Sequence, residues 1–313
     1  MKRLIALLLT AALCMTALCA CGKSDKQSDA TEDSSETNPV LALFDGIKDD
    51  NELTTFGENK PSDAAIKALK SEIAALCEGD HDVSLVMIDL DTLSGVSYQS
   101  DRVMCGQSTI KAVYIGSLLE SRPELFEKEK EDIRKVIEQS NNESYEKLRE
   151  KYGTEYLEKW CTEVGVEHNM IEKAYPREAV TDIARLWTKM VPYLNADDTP
   201  DELKKYYSNS KFSSAKEVLG SRMKVYSKAG WENGLDTKTP YSEEMTYPAD
   251  YVDKDPYNDE CAINDTGLVY TDSGTYLFAI FTDHPYNTYQ NYTPDNPLNA
   301  LTQALYDTQQ SMS

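Results

Sequence analysis

Strand patterns stand at both ends of this chain and helical patterns fill its middle, and that order restricts the folds open to it. Residues 83–90 alternate Val83, Leu85 and Met87 with the positions between them, as a strand with one buried face does. Residues 91–95 have turn chemistry, and 96–99 return as the second arm of a hairpin. Strand character comes back at 223–231, 267–271 and 275–282. Between these ends, residues 131–139, 143–151, 155–164, 177–194 and 201–207 follow the helical period. A capped helical stripe at 62–77 and another at 297–311 frame the whole. The expected class is α+β, an α/β sandwich. An antiparallel sheet is flanked by terminal helices, and an all-helical lobe, about 108–220, is inserted between its strands.

The first residues read as an address. Met1-Lys2-Arg3 and an apolar run to Ala20 form a secretory signal, residues 1–20, too short to be taken as structure. Its end, Leu18-Cys19-Ala20-Cys21-Gly22, resembles the bacterial lipobox, which implies cleavage before Cys21 and lipidation of its sulfur. Such an anchor would hold the protein on the outer face of the cytoplasmic membrane by acyl chains alone. No other stretch is long and apolar enough to span. Residues 21–60 are expected to be an acidic tether, and 61–313 the folded domain, because Ser, Asp, Glu and Thr dominate the first part of that segment.

Net charge is −22, and −24 once Lys2 and Arg3 are removed. That excludes nucleic acid as a partner, since phosphate neutralisation needs clustered Lys and Arg. Cys77, Cys105, Cys161 and Cys261 allow two disulfides in three connectivities, with nothing in their spacing to choose among them. There is no C-x-x-C pair, so no zinc site is expected, and no metal or cofactor is implied. Asp265-Thr266-Gly267 has the letters of an aspartic-protease site but no second copy to share a proton. Residues 233–264 form a long Tyr-, Asp- and Pro-rich excursion without period, of the kind that is either functional or disordered.

The chemistry gathers on three short motifs. Ser108-Thr109-Ile110-Lys111 opens an apolar helix after the hairpin. Ser140-Asn141-Asn142 follows it, and Lys228-Ala229-Gly230 lies on a late strand. Ser-x-x-Lys alone means little, because four others start at Ser144, Ser208, Ser213 and Ser221. Context separates Ser108 from them. A serine in a first helical turn has its oxygen near the positive end of the helix dipole. A lysine three residues on stands on the same face; buried beside another cation, for which Lys228 is the candidate, it would lose its proton more easily and act as a base toward the serine. Lys228 would also hold a substrate carboxylate. Ser140 would relay a proton to the leaving nitrogen, Asn142 would orient a substrate amide, and Gly230 would let the strand approach closely. Ser140 followed by Glu143 also has the form of a helix-capping box.

These motifs, with residues 86–95, Tyr175-Pro176-Arg177-Glu178-Ala179-Val180 and Asn264-Asp265-Thr266-Gly267-Leu268, resemble class A serine β-lactamases. The resemblance runs from about residue 62 to 311. It implies the penicillin-recognising serine hydrolase fold, shared with D,D-peptidases. Its substrates would be β-lactams or small peptides of the peptidoglycan D-Ala-D-Ala kind. Ser108, Lys111, Ser140 and Lys228 would be catalytic, and Asn142, Gly230 and Trp231 would bind substrate. The oxyanion hole would be the backbone N–H groups of Ser108 and Trp231.

Departures from the family pattern accompany the matches. No Glu-Pro-Glu-Leu-Asn-like run precedes Tyr175, so the glutamate that activates deacylating water has only Glu167 and Glu172 as stand-ins. Without that base an acyl-enzyme should persist. The interval from Ser108 to Ser140 is shorter than the family's, Ala229 removes a hydroxyl that usually bonds a substrate carboxylate, and Trp231 adds bulk. The alternative expectation is a catalytically degenerate binding lipoprotein that keeps the same cleft.

Overall fold

The protein is described from a computed structural model covering residues 38–47, 51–167, 169–233, 261–286 and 295–312. The strands are β1 (Thr54–Phe56), β2 (Val83–Asp89), β3 (Ser94–Tyr98), β4 (Met104–Cys105), β5 (Arg177–Glu178), β6 (Lys224–Asn233), β7 (Cys261–Thr271) and β8 (Gly274–Thr282). Six of them form one sheet in the order β1-β3-β2-β8-β7-β6, with every neighbouring pair antiparallel. β4 and β5 pair separately, Cys105 opposite Arg177.

The sheet is buried on both faces, and the strand period sorts its side chains between them. Val83, Leu85 and Met87 of β2, with Phe278 and Ile280 of β8, pack on the side of the terminal helices. Those are α2 (Asp63–Leu76), capped by the Ser62 hydroxyl, and α12 (Asn299–Gln310). Val86 and Ile88, with Leu277, Ala279 and Phe281, face the opposite way into the helical lobe. Each large apolar side chain so withdrawn contributes about 1.5–3 kcal/mol.

The lobe is built from α3 (Ile110–Ser121), α4 (Leu125–Lys128), α5 (Lys130–Gln139), α6 (Asn142–Tyr152), α7 (Glu155–Val164), α8 (Asn169–Glu172), α9 (Val180–Asn195), α10 (Asp201–Ser208) and α11 (Ser214–Leu219). α3 is buried from Ile110 to Leu119, so it is the axis on which the other helices assemble. α9 lies against the sheet, where the Trp187 indole donates to Thr266 Oγ1 on β7 at 3.0 Å. The sheet–helix layering and the inserted lobe are as the sequence implies.

Four local expectations change. The folded part begins before residue 61, because α1 (Pro39–Phe44) and β1 precede it. Phe44 is 5% exposed, and β1 extends the sheet beside β3. Hydrophobic side chains at Phe44 and Ile47, not the polar average of the segment, decide this. The helix expected from Arg177 starts at Val180, since Arg177 and Glu178 are drawn into β5. No disulfide joins Cys77, Cys105, Cys161 and Cys261 among the described residues, and burial pushes the Cys161 thiol up to about 12. β7 starts at Cys261 and so takes in Asn264 and Asp265. The rest of the Tyr-rich excursion, residues 234–260, lies outside the described residues, as do the signal segment and Cys21.

Candidate active site

Ser108 sits in a single 3-10 turn, Gln107–Thr109, that leads directly into α3, rather than in the helix itself. Gln107 before it has φ 50°, a left-handed conformation that costs a non-glycine residue about 1 kcal/mol or more. The turn is pinned from the sheet side by Asn264, whose Nδ2 donates to Cys105 O at 2.8 Å. It is also pressed by β6, since a Cβ at Gly230 would stand 2.7 Å from Gly106 O and 2.9 Å from Ser108 N. Only glycine permits that approach. β6 is the edge strand, so one row of its backbone N–H groups faces away from β7. The backbone nitrogen of Ser108 lies against this strand at Gly230.

One turn on, Lys111 is fully buried. Its ammonium donates to Ser140 O at 2.8 Å and to Asn142 Oδ1 at 2.5 Å, with Ser140 Oγ at 3.4 Å. The rings of Tyr145 and Tyr175 lie 5.4 and 5.3 Å from it. Burial lowers Lys111 to about 7, against a weaker upward pull from Glu146. Lys228, also fully buried, donates to Ser140 Oγ at 2.9 Å and to Ala229 O at 2.6 Å. Burial, and next the charge of Lys111, hold it well below the ordinary lysine value. Ser140 thus bridges two buried amines.

The backbone explains how Ser140 comes to do so. It ends α5 in the left-handed conformation (φ 58°), and α6 is capped instead by Asn141, whose Oδ1 accepts from Ser144 N at 2.7 Å. The capping-box reading of Ser140 is therefore set aside. Its hydroxyl is turned to the lysines because the neighbouring asparagine takes the cap. Asn142 offers its oxygen to Lys111 and keeps two amide hydrogens for another partner.

Glu167 and Glu172 are both exposed. The carboxyl group beside the Ser108 turn is Glu178, which the sequence pattern assigned to a helix. It is 1% exposed, a Cβ at Gly106 would collide with it, and its Oε2 has no hydrogen-bond partner. Thr109 Oγ1 lies 2.8 Å from Gly106 O and 3.2 Å from Glu178 Oε1. A hydroxyl has one hydrogen. If Thr109 gives it to the nearer oxygen, the contact with Glu178 needs a proton on the carboxyl. Burial, and then Asp182, push Glu178 well above the usual carboxylate range in agreement. No motif spacing would have found it. Its signal is the pairing of β5 with β4, which places residue 178 opposite Met104.

On the other flank, Asp265 stands opposite Ala229 in the β6–β7 register and is fully buried. Its Oδ2 accepts from Ser213 Oγ (2.8 Å), Ser214 Oγ (3.1 Å) and Ala215 N (3.0 Å). Burial pushes it up to about 6 despite those donors. Three aromatic rings wall this side. Phe212 and Trp231 are 4.8 Å apart, Phe212 and Tyr286 5.1 Å, Trp231 and Tyr286 5.8 Å. Among the described residues no group of three or more His, Cys, Asp and Glu is arranged to hold a metal ion.

The seven residues singled out from the sequence lie close together: Lys111 and Lys228 meet at Ser140, Asn142 meets Lys111, Trp231 neighbours Lys228, and Gly230 lies against Ser108. Solved structures of similar fold include a β-lactamase from Chitinophaga pinensis (TM-score 0.57, 14% identity, covering 78% of this chain and 99% of that one). A class A β-lactamase from Bacteroides cellulosilyticus gives TM-score 0.54 at 14% identity, with 78% and 98% covered. A β-lactamase from Sphaerobacter thermophilus gives 0.53 at 13%, with 78% and 95% covered. At such identities the likeness concerns the fold. No curated protein matches the chain. The family described as the beta-lactamase enzyme family matches residues 130–309, more than half of the 313. With that match and a sheet and helical lobe of this kind, the chain belongs to the beta-lactamase enzyme family.

Proposed function

We propose that the protein is a serine hydrolase or acyl-transferase that acylates itself at Ser108 with small acyl donors of the β-lactam or D-alanyl-peptide type. The observation that carries this reading is the Ser140 hydroxyl between two buried lysines. In the step envisaged, Ser108 Oγ bonds to the carbonyl carbon while Lys111 takes its proton. The carbon–nitrogen bond then breaks, and Ser140 passes a proton to the departing nitrogen, with Lys228 steadying the relay. Backbone N–H groups of Ser108 and Trp231 would hold the oxyanion, each worth about 3 kcal/mol. The substrate amide would meet the free amide hydrogens of Asn142.

Deacylation is proposed to be slow. Glu167 and Glu172 are exposed, and Glu178 is directed at Thr109 and biased toward its neutral acid, so none is set to activate water. The lipid anchor at Cys21, and with it a place on the outer face of the cytoplasmic membrane, belongs to the same proposal. It rests on the signal and lipobox pattern alone.

Intact-mass spectrometry of the purified protein with a penicillin, followed over time, tests the reading. The expected result is one acyl adduct that outlasts many dead times of the experiment and is absent from Ser108→Ala. No adduct with any β-lactam or D-alanyl ester would leave the cleft as a binding site only.

A further inference from the structure

We infer that Arg149 is a positioning residue of this site: from α6 it ties residues 171–175 down so that the rings of Tyr145 and Tyr175 cover the Lys111 ammonium. The inference rests on the acyl-enzyme reading, in which Lys111 is the base, and adds a residue that acts on that base through others. Tyr145 and Arg149 stand one turn apart on the same face of α6. The Arg149 guanidinium lies over the rings of Tyr114 and Tyr145, 5.9 and 5.6 Å from their centres. It donates from Nη1 to Tyr145 OH at 3.3 Å and from Nη2 to Ile171 O at 3.0 Å. Tyr145 OH in turn donates to Ala174 O at 3.2 Å. Two carbonyls of the segment before Tyr175 are thus held from one helix. Tyr175 follows at once, and its ring stands 5.9 Å from that of Tyr145. The Lys111 ammonium lies over both rings.

Those rings do two opposed things to a lysine. A ring face attracts the cation, which favours the charged form. A ring also keeps water away, which disfavours it. Exclusion of water wins, since Lys111 is held at about 7 instead of 10.5 with burial as the largest cause. Charged neighbours do not account for this. Glu146, on α6 itself, pulls the other way. Lys228 of β6 is itself held well below the ordinary lysine value, and Glu178 of β5 is biased toward its neutral acid. Glu172 and Lys173 of the tied segment are exposed. Asn142, also in contact with Lys111, is exposed too, so solvent begins one residue away. Whatever holds the rings in place therefore sets how dry the amine is.

Acylation by benzylpenicillin, read by intact mass from about pH 6 to 9, tests this. Arg149→Met keeps an unbranched stem and loses both donors. Its acylation should fall about tenfold at pH 6 and return nearly to the wild-type rate by pH 9, because the midpoint of the profile moves up by about one unit. A loss equal at every pH, or no loss, overturns the inference, since a merely loosened fold has no midpoint to move. Arg149→Lys keeps the charge but not the two-pronged donor, and it should move the midpoint as Arg149→Met does. A wild-type midpoint in Arg149→Lys alone would assign the effect to charge and overturn the inference. Tyr175→Leu, which removes one ring directly, should move the midpoint at least as far, and adding Arg149→Met to it should move it no further. Additive shifts would mean two separate routes and count against the inference. The titration of Lys111 is also read without any substrate, by carbon NMR at Cε in lysine-labelled protein, assigned with Lys111→Arg. An unmoved titration in Arg149→Met overturns the inference and leaves Ser108 chemistry intact. No adduct in wild type or variants would overturn the acyl-enzyme reading, and the titration then decides on Arg149 alone.

Discussion

Burial acts on Lys111 in a way that pH can read. Held at about 7, it is half deprotonated near neutrality. Acylation should therefore rise about tenfold per pH unit below 7 and level off above it, as a general base does. The same shift has a stability consequence. Between about 7 and the ordinary 10.5 the unfolded chain holds a proton that the folded chain lacks, so the fold should gain stability as pH climbs through that window. A flat acylation profile from pH 5 to 8 would remove Lys111 as the base. Glu178→Gln can still donate to Thr109 Oγ1 and should acylate as the wild type does. Glu178→Ala should lose about tenfold or more, because the turn before Ser108 shifts. Equal loss in Gln and Ala would mean that the site needs the charge instead. The burial of Lys111 and Lys228 was legible in the sequence because lysines in apolar runs are conspicuous. Glu178 was not, because a carboxylate before an amphipathic stretch looks like first-turn decoration.

At the level of elements, the site exists where β6 crosses the turn at the head of α3. Gly230→Ala should disturb that crossing first. Its methyl would meet Gly106 O and Ser108 N, at a cost of about 1–3 kcal/mol if the strand retreats. Acylation should fall by about a hundredfold, the penalty of a displacement near 1 Å. Circular dichroism should show a folded protein, and an unchanged acylation rate would mean that the oxyanion contacts lie elsewhere. β6, β8 and the lobe helices were readable because each spans several turns or alternations of its own period. β4 and β5 have two residues each and no period to read, and only pairing across the chain defines them. α6 was readable by its period, but its cap was not, since it proved to be Asn141 and not its neighbour.

Across the whole molecule, the folded unit reaches back to Asn38. Phe44 is buried beneath the Arg185 guanidinium, 4.9 Å from its ring, and Arg185 also reaches Asp45 at 3.0 Å. Phe44→Ala should cost about 3 kcal/mol in chemical denaturation. A cost near zero would return residues 38–47 to the tether. That boundary escaped the sequence because composition averages over a window, and two apolar side chains in a polar segment do not move the average. The central claim is the covalent chemistry at Ser108, and peptide mapping tests it most directly. After exposure to a β-lactam, trypsin should release residues 103–111, between Arg102 and Lys111, heavier by the mass of the acyl group. That peptide unmodified, with the added mass elsewhere or nowhere, would contradict the account.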